Sequence, residues 1–547
     1  MKKLLSIVLL CFGLPSGLLA ADVSDLTYVI DGDTVTITDC DSAASGELII
    51  SATIEGKAVT AIGDRAFSGC TSLTNVTIPE GVVSIGEWAF SACYLLKSIN
   101  FTDGVTDIKV STFDSCSSLE SVNIPDSVIS IESSVFRNCS NLTNLNFGSR
   151  VETIGANAFS GCSKLLSLSL PQGLKSIDSN AFAHCSSVKT VTIPDSVNFI
   201  GSGAFYECRA LLSISIPQGV TVIGQRTFKE CKSLSDVSLP ESLTSIESEA
   251  FAGCGQLAGI RIPDGVVFLG VKAFKHCGLS SISIPGNITE IGDNAFSGCS
   301  LLASVIIGRG VTSIGSSSFS SCTSLTNISL PDTLTTIGPA AFHFCHGLTN
   351  ISLPEGVISI GQSAYSFCNS LASVNIPASV LSIGVSAFKN CPELSSVTFA
   401  GDAPSVGDYA FRWGADDFAI YFHQGKKGFT APIWLEYPSV MIPLPDADQD
   451  GWPDELEALL GTDANSGGSQ FRAWVTREGG VTSIHYGPHA DACTFVVEQT
   501  NNLADPESWE AVAGLSFAGD ATEQIAELIA AANSPTFYRV RVGYEAD

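Results

Sequence analysis

One set of residues has the types and spacing of a metal site. Asp446 to Glu457, DADQDGWPDELE, places carboxylates at positions 1, 3, 5, 9 and 12 of a twelve-residue loop, with glycine at position 6. Calcium is a hard cation that takes about six to eight oxygens. Asp446, Asp448, Asp450, the Trp452 carbonyl, Asp454 and a bidentate Glu457 supply them together with water. The pattern D-x-D-x-D-G-x5-E is met in full, and so many carboxylates in one short loop repel one another without a cation. The bland alternative is a solvated acidic linker. Pro443 and Pro445 leave no room for an entering helix, and Pro453 stands at loop position 8. The loop is therefore predicted to be a single structural Ca2+ clamp and not half of a paired sensor.

Other reactive groups are sparse. His184 and His276 each stand just before a repeating cysteine, four repeats apart. At the spacing of stacked strands that is about 19 Å, too far to share a metal. His343, Cys345 and His346 form H-x-C-H, which matches no established zinc spacing and reads as surface histidines. No nucleophile elbow, phosphate loop or zincin signature occurs. With 27 Lys plus Arg against 55 Asp plus Glu, the formal charge is −28, so the basic footprint of a nucleic-acid binder is absent.

The elements that position these groups are repeats. Cysteine recurs from Cys70 to Cys391 at fourteen intervals, all of 23 residues except the 22 between Cys277 and Cys299. A fixed period in this range marks a solenoid, whose core is buried one turn at a time. Each unit runs L-x-x-V-x-I-P-x-x-V-x-x-I-G-x-x-A-F-x-x-C-x-x. In the first, Leu73, Val76 and Ile78 alternate inward as a short strand, Pro79 ends it, Ile85 opens the returning limb and Phe90 fills the next turn. Phenylalanine stands three before the cysteine in every unit but one, where Tyr365 replaces it. If buried, that hydroxyl needs a partner. About sixteen turns make a rod of roughly 75 Å.

Many cysteines in an exported chain suggest a disulfide framework. Fifteen in one structural position stack on each other and cannot all pair, so a reduced, buried ladder is expected, each thiol a small hydrophobe with a weak donor for a corner carbonyl. Cys40 and Cys493 lie outside the ladder and are the better candidates for redox chemistry.

The position four after the repeat leucine faces outward. It reads Thr77, Asn100, Asn123, Asn146, Ser169, Thr192, Ser215, Ser238, Arg261, Ser283, Ile306, Ser329, Ser352, Asn375 and Thr398, of which thirteen are Ser, Thr or Asn. Such a flat stripe suits an extended protein or glycan, held by many weak contacts in register. It equally suits a solvated sheet that resists aggregation. Arg261 and Ile306, two turns apart, are the first choices for a local hot spot.

The ends are atypical. Residues 1–21, with Lys2 and Lys3, an apolar run and small residues at Ala20 and Ala21, read as a cleaved secretory signal, and no later apolar run is long enough to span a bilayer. Residues 22–60 form an N-terminal β cap with a hairpin at Asp31-Gly32; the solenoid covers 61–414; and 415–438 is an aromatic C-terminal cap, Gly414 standing where the next cysteine is due. A linker, 439–467, carries the calcium loop. Residues 468–547 alternate as a small β-rich domain, with a helix expected in ATEQIAELIAAA.

The units IGDRAFSGCTSLTNVTIPEGV, IGANAFSGCSKLLSLSLPQGL and IGDNAFSGCSLLASVIIGRGV resemble the BspA-like class of leucine-rich repeats, and the likeness covers about Asp25 to Pro438. It implies an α/β-type right-handed repeat solenoid with a parallel β-sheet on one face, in a secreted or cell-surface protein that binds or adheres and is not an enzyme. Departures are local: Val105 to Phe113 reads VTDIKVSTF, without the usual glycine and alanine, and Leu269 replaces isoleucine. The calcium segment is similar to thrombospondin type 3 loops. Extracellular protein or glycan binding leads; a structural envelope or matrix component comes second, and an enzyme housed in the C-terminal module third.

Overall fold

The computed structural model describes residues 21–442 and, beyond them, the backbone of strands within 472–544. The predicted leader and the calcium loop 446–457 lie outside the described residues. Two compact units are present, Met1–Ile420 and Tyr421–Asp547.

The first unit opens on a hairpin, β1 (Leu26–Asp31) antiparallel to β2 (Thr34–Cys40), turning at Gly32 with φ +57°. A left-handed residue at the tip is what a two-residue hairpin loop requires, and glycine adopts it without strain. The chain then coils. β3 (Ser45–Ile49) pairs in parallel with β6 (Ser72–Thr77), while β5 (Lys57–Ile62), itself antiparallel to the short β4 (Thr53–Ile54), pairs in parallel with β7 (Ser84–Ile85). These begin two parallel sheets on two faces, the first from the V-x-I strand of each unit and the second from the S-I pair. Parallel coiling thus starts at Thr34, since β2 also pairs in parallel with β5, well ahead of the first ladder cysteine. Partners are one repeat apart, as in Val122 with Leu145 and Ile131 with Ile154.

The third limb corrects the expected α/β architecture. Among the described residues there is no α-helix, only a 3-10 turn at Val23–Asp25. Two left-handed residues per turn break the limb into tight corners, one two before the aromatic and one just before the cysteine, as in Arg65 (φ 58°) and Gly69 (φ 80°) about Phe67. Alternate amides donate within the corner and to the next turn: Cys70 N–H reaches Phe67 O at 3.1 Å, and Phe67 N–H reaches Ala89 O at 2.7 Å. Backbone groups left over by one turn are satisfied by its neighbour, which a helix would prevent.

The core is two ladders. Phe67 to Phe411, with Tyr365 among them, stack ring on ring at 4.8–5.7 Å, close to the strand repeat. Beside them every cysteine from Cys70 to Cys391 is free and buried. From Cys93 on, each thiol donates to the carbonyl of the aromatic in the preceding turn, as Cys208 to Phe182 O at 3.2 Å. Burying one Phe and several Leu, Ile or Val contributes several kcal/mol per turn before chain entropy is subtracted, roughly 1.5–3 for each such side chain.

Departures from the consensus are absorbed locally. Thr112 replaces the alanine before Phe113 and is fully buried, its hydroxyl donating to Lys109 O at 2.8 Å. Thr227 and Ser318 make the same contact with Gly224 O and Gly315 O. In the 22-residue repeat the corner loses one residue at Gly278, where a Cβ would stand 2.2 Å from Gly255 O, so only glycine fits. At Gly414 the thiol is replaced by the ring of Phe418, which stacks on Phe411 at 5.8 Å.

In the second unit Ile433–Trp434 pairs antiparallel with Tyr437–Ile442, and Phe429 lies between Phe422 and Trp434, 4.6 and 4.7 Å from them. Arg472–Glu478, Val481–Gly487 and Gln524–Ile529 pair antiparallel in that order, as do Cys493–Thr500 and Phe537–Tyr544. The segment expected to be helical is thus a strand across its Gln524–Ile529 portion, where pairing with Val481–Tyr486 prevails over helix propensity.

Candidate binding faces

The first sheet buries the middle residue of its short strands and turns the residue after it to solvent. Asn100, Asn123, Asn146, Ser169, Thr192, Ser215, Ser238, Arg261, Ser283, Ile306, Ser329, Ser352 and Asn375 are all exposed, as is Thr77, while Thr398 is half-buried. Strand register sets many of them side by side: Asn123 beside Asn146, Ser169 beside Thr192, Ser283 beside Ile306 and Ser352 beside Asn375. Neighbours bond to each other, Asn146 Nδ2 donating to Asn123 Oδ1 at 2.7 Å. Asn100 instead spans to the backbone, donating to Ile78 O at 3.3 Å and accepting from Ile78 N–H at 3.2 Å.

The stripe is not the uninterrupted surface expected. The first sheet is divided after Asn144–Asn146, after Asp236–Ser238 and after Asn327–Ser329; at the second break a whole turn is skipped before Ser281–Ile284 starts the next segment. Arg261 lies in that strandless turn, whose Gly259 has no side chain to pack beside a neighbour. Its guanidinium is paired with the Glu241 carboxylate, and both side chains are about 65% exposed. Ile306 stands unshielded, 59% exposed, between Ser283 and Ser329.

Two further faces carry features that the repeat consensus does not show. On the second sheet the position before the inward isoleucine is mostly Ser or Thr, but Phe199 and Phe268 occupy it and are more than half exposed. The sheet stops at Phe199–Ile200 and restarts at Val222–Ile223, and a hollow of about 270 Å³ opens there beside Glu247. A second hollow of about 300 Å³ lies between Phe268, Val271, Glu290 and Asp293, at the short repeat. The signal was present: an aromatic at a position that every other full repeat fills with Ser, Thr, Val, Asp or Glu.

The third face is on the cornered limb. Phe344 and Phe367 hold the left-handed position before the cysteine, and Trp413 the equivalent one before Gly414, a conformation that bulky residues rarely adopt. Phe344 packs on Phe367 at 4.7 Å, with His343 4.0 Å and His346 5.8 Å from it. Lys389 lies 4.6 Å over Trp413, and Arg412 sits over both Tyr409 and Trp413 at 4.9 and 4.7 Å. His343 and His346 are thus half-buried in an aromatic cluster, not free surface groups, and burial pushes His343 below the usual imidazole range. His184 and His276 hold left-handed positions, φ 60° and 58°, which histidine tolerates better than most residues. Among the described residues no group of three or more His, Cys, Asp or Glu is placed to hold a metal. No helix among them is long and apolar enough to cross a membrane.

Comparison with known proteins places these faces in context. The BspA type leucine rich repeat region, a six-copy model, matches residues 45–166, 153–279, 223–323 and 289–415. A leucine-rich repeat protein from Bacteroides ovatus superposes with a TM-score of 0.53 at 28% identity, over 73% of this chain and 98% of that one. A leucine rich cell surface protein from Faecalibacterium prausnitzii is 28% identical over 71% of this chain and 97% of its own, with a TM-score of 0.40. No curated protein matches the sequence.

Proposed function

Because the chain belongs to the BspA type leucine rich repeat family, we propose that it is a non-enzymatic, secreted or cell-surface protein that binds an extracellular protein or glycan through the outward face of its first sheet. The observation that supports this reading is register. One position in most turns offers an exposed Ser, Thr or Asn on a backbone held by strand pairing with a neighbouring turn. Contacts that are weak singly add along such a surface, since the scaffold bears no ordering cost when the ligand docks. Ile306, an apolar interruption two turns from Arg261, supplies a local anchor.

Export through residues 1–21 brings the chain to that ligand. Calcium, held by Asp446, Asp448, Asp450, the Trp452 carbonyl, Asp454 and Glu457, stiffens the link to the C-terminal module. Calorimetry of the full chain at millimolar Ca2+ tests the clamp; absence of heat there removes it.

Binding of the full chain to an array of immobilised glycans and extracellular matrix proteins, with and without Ca2+, tests the main reading. Saturable binding lost in an Arg261→Ala, Ile306→Ser variant supports it. Absence of any saturable partner turns the reading toward a structural envelope component.

A further inference from the structure

The cysteine ladder has one irregular rung, and it lies where the leading hairpin meets the first turn. From Cys93 to Cys391 each thiol has an aromatic carbonyl from the preceding turn at 3.1–3.3 Å. Cys70 has none, because no repeat precedes it and the residue 26 earlier is Ala44. Its Sγ reaches only Cys40 O and Asp41 O, both at 3.9 Å. Cys40 ends β2, is 6% exposed, and points its Sγ toward Asp41 O at 3.7 Å. Both sulfurs thus lie within 4 Å of the same atom, the Asp41 carbonyl oxygen.

We propose that Cys40 and Cys70 form a disulfide that fastens the leading hairpin to the first turn of the solenoid. Two sulfurs that share the Asp41 carbonyl oxygen, with the Cys70 sulfur also 3.9 Å from the Cys40 carbonyl oxygen, are close enough for side-chain rotation to bring them to bonding distance. The ladder thiols differ: each is held by a carbonyl and points along the stack. The neighbouring Cys40 thiol favours the Cys70 thiolate, so Cys70 gives up its proton first and Cys40 holds the second correspondingly harder.

The oxidant is another disulfide, of the thiol–disulfide oxidoreductase or glutathione class. The Cys70 thiolate attacks one of its sulfurs, forming a mixed disulfide and releasing one thiolate. Cys40, on losing its proton, attacks the Cys70 sulfur and expels the second. Two protein thiols become one disulfide, one external disulfide becomes two thiols, and both electrons and both protons pass to the external pair. Since both thiols are buried in the folded chain, exchange takes place before the hairpin seats or while it is open.

The test uses the reduced full chain, oxidised two ways: folded in glutathione buffers of rising disulfide content, and refolded from denaturant in the same buffers. After alkylation under denaturing conditions, cleavage at Lys, Arg and Glu puts Cys40, Cys70 and Cys93 on separate peptides. Expected are a Cys40–Cys70 linked peptide two hydrogens lighter than the sum of its parts, all other ladder thiols alkylated, and a melting midpoint several degrees above the reduced protein. Cys40→Ser removes the link and the rise, and because Cys40 lies outside the ladder this variant keeps the core intact. Full alkylation of both cysteines after oxidative refolding, or linkage of Cys40 to a different cysteine, overturns the proposal. The result does not depend on whether the chain binds a ligand.

Discussion

Cys116 donates its thiol hydrogen to the carbonyl oxygen of Phe90, 3.1 Å away in the preceding turn. This one contact joins the two ladders of the core, since the same phenylalanine stacks its ring on Phe113 at 5.3 Å. It also explains why the cysteines from Cys93 to Cys391 stay as thiols: each of these sulfurs already has a buried carbonyl partner.

That burial predicts an alkaline limit. It raises the thiols of Cys93, Cys322 and Cys391 to about 12, and others further. An unfolded thiol releases its proton near pH 8.5, so above that pH the unfolded chain binds fewer protons than the native one. The stability from each of these three rungs is complete below about pH 8.5 and falls by about 1.4 kcal/mol per pH unit as pH rises toward 12. Denaturant midpoints are expected to hold from pH 7 to 8 and to drop steeply between 9 and 11. A level profile to pH 11 would count against buried, protonated rungs.

Tyr365 is 1% exposed and its hydroxyl has no partner among the described residues. An unsatisfied buried hydroxyl costs about 1–3 kcal/mol. Tyr365→Phe, which restores the residue found at the other rungs, should raise stability by about 1 kcal/mol or more in chemical denaturation. A loss of stability means that the hydroxyl is satisfied.

Two glycines separate backbone strain from crowding. Gly69 is left-handed at φ 80°, and a Cβ added there would meet nothing within 4 Å, whereas a Cβ on Gly310 would stand 1.9 Å from Gly286 O. Gly69→Ala should cost about 1 kcal/mol. Gly310→Ala should cost about 3 kcal/mol, since backbone must move. Equal effects in thermal melts would mean that packing between turns is looser than the structure has it.

The Arg261–Glu241 pair is exposed on both sides, and exposed pairs contribute about 0–1 kcal/mol. Arg261→Ala with Ile306→Ser is therefore expected to shift stability by less than about 1 kcal/mol. A larger loss would mark Arg261 as a support for its strandless turn.

Much of the fold was legible because period and chemistry agree: inward Leu73, Val76, Ile78, Ile85 and Phe90 are all buried, and the thiols found the corner carbonyls they were expected to need. The cornered limb was not legible as such, because Ala-Phe-x-x-Cys is compatible with a short helix. What decides against it is the pair of left-handed residues in each turn, filled by residues as different as Arg65, Asn157 and Glu249. The outward stripe was read correctly as exposed, but its interruption at Arg261 depends on strand pairing that no single repeat reveals. Phe199 and Phe268 escaped notice for a related reason: a consensus averages away the one repeat in which a face changes character.

The central claim is that the unit divides into an inward ladder that holds the fold and an outward face that binds. Its most direct test is to measure binding of the Arg261→Ala, Ile306→Ser full chain to the arrayed glycans and matrix proteins, alongside its melting midpoint. At least a tenfold loss of affinity, about 1.4 kcal/mol, with the midpoint unchanged is the predicted result. Undiminished binding by the stable variant would contradict it.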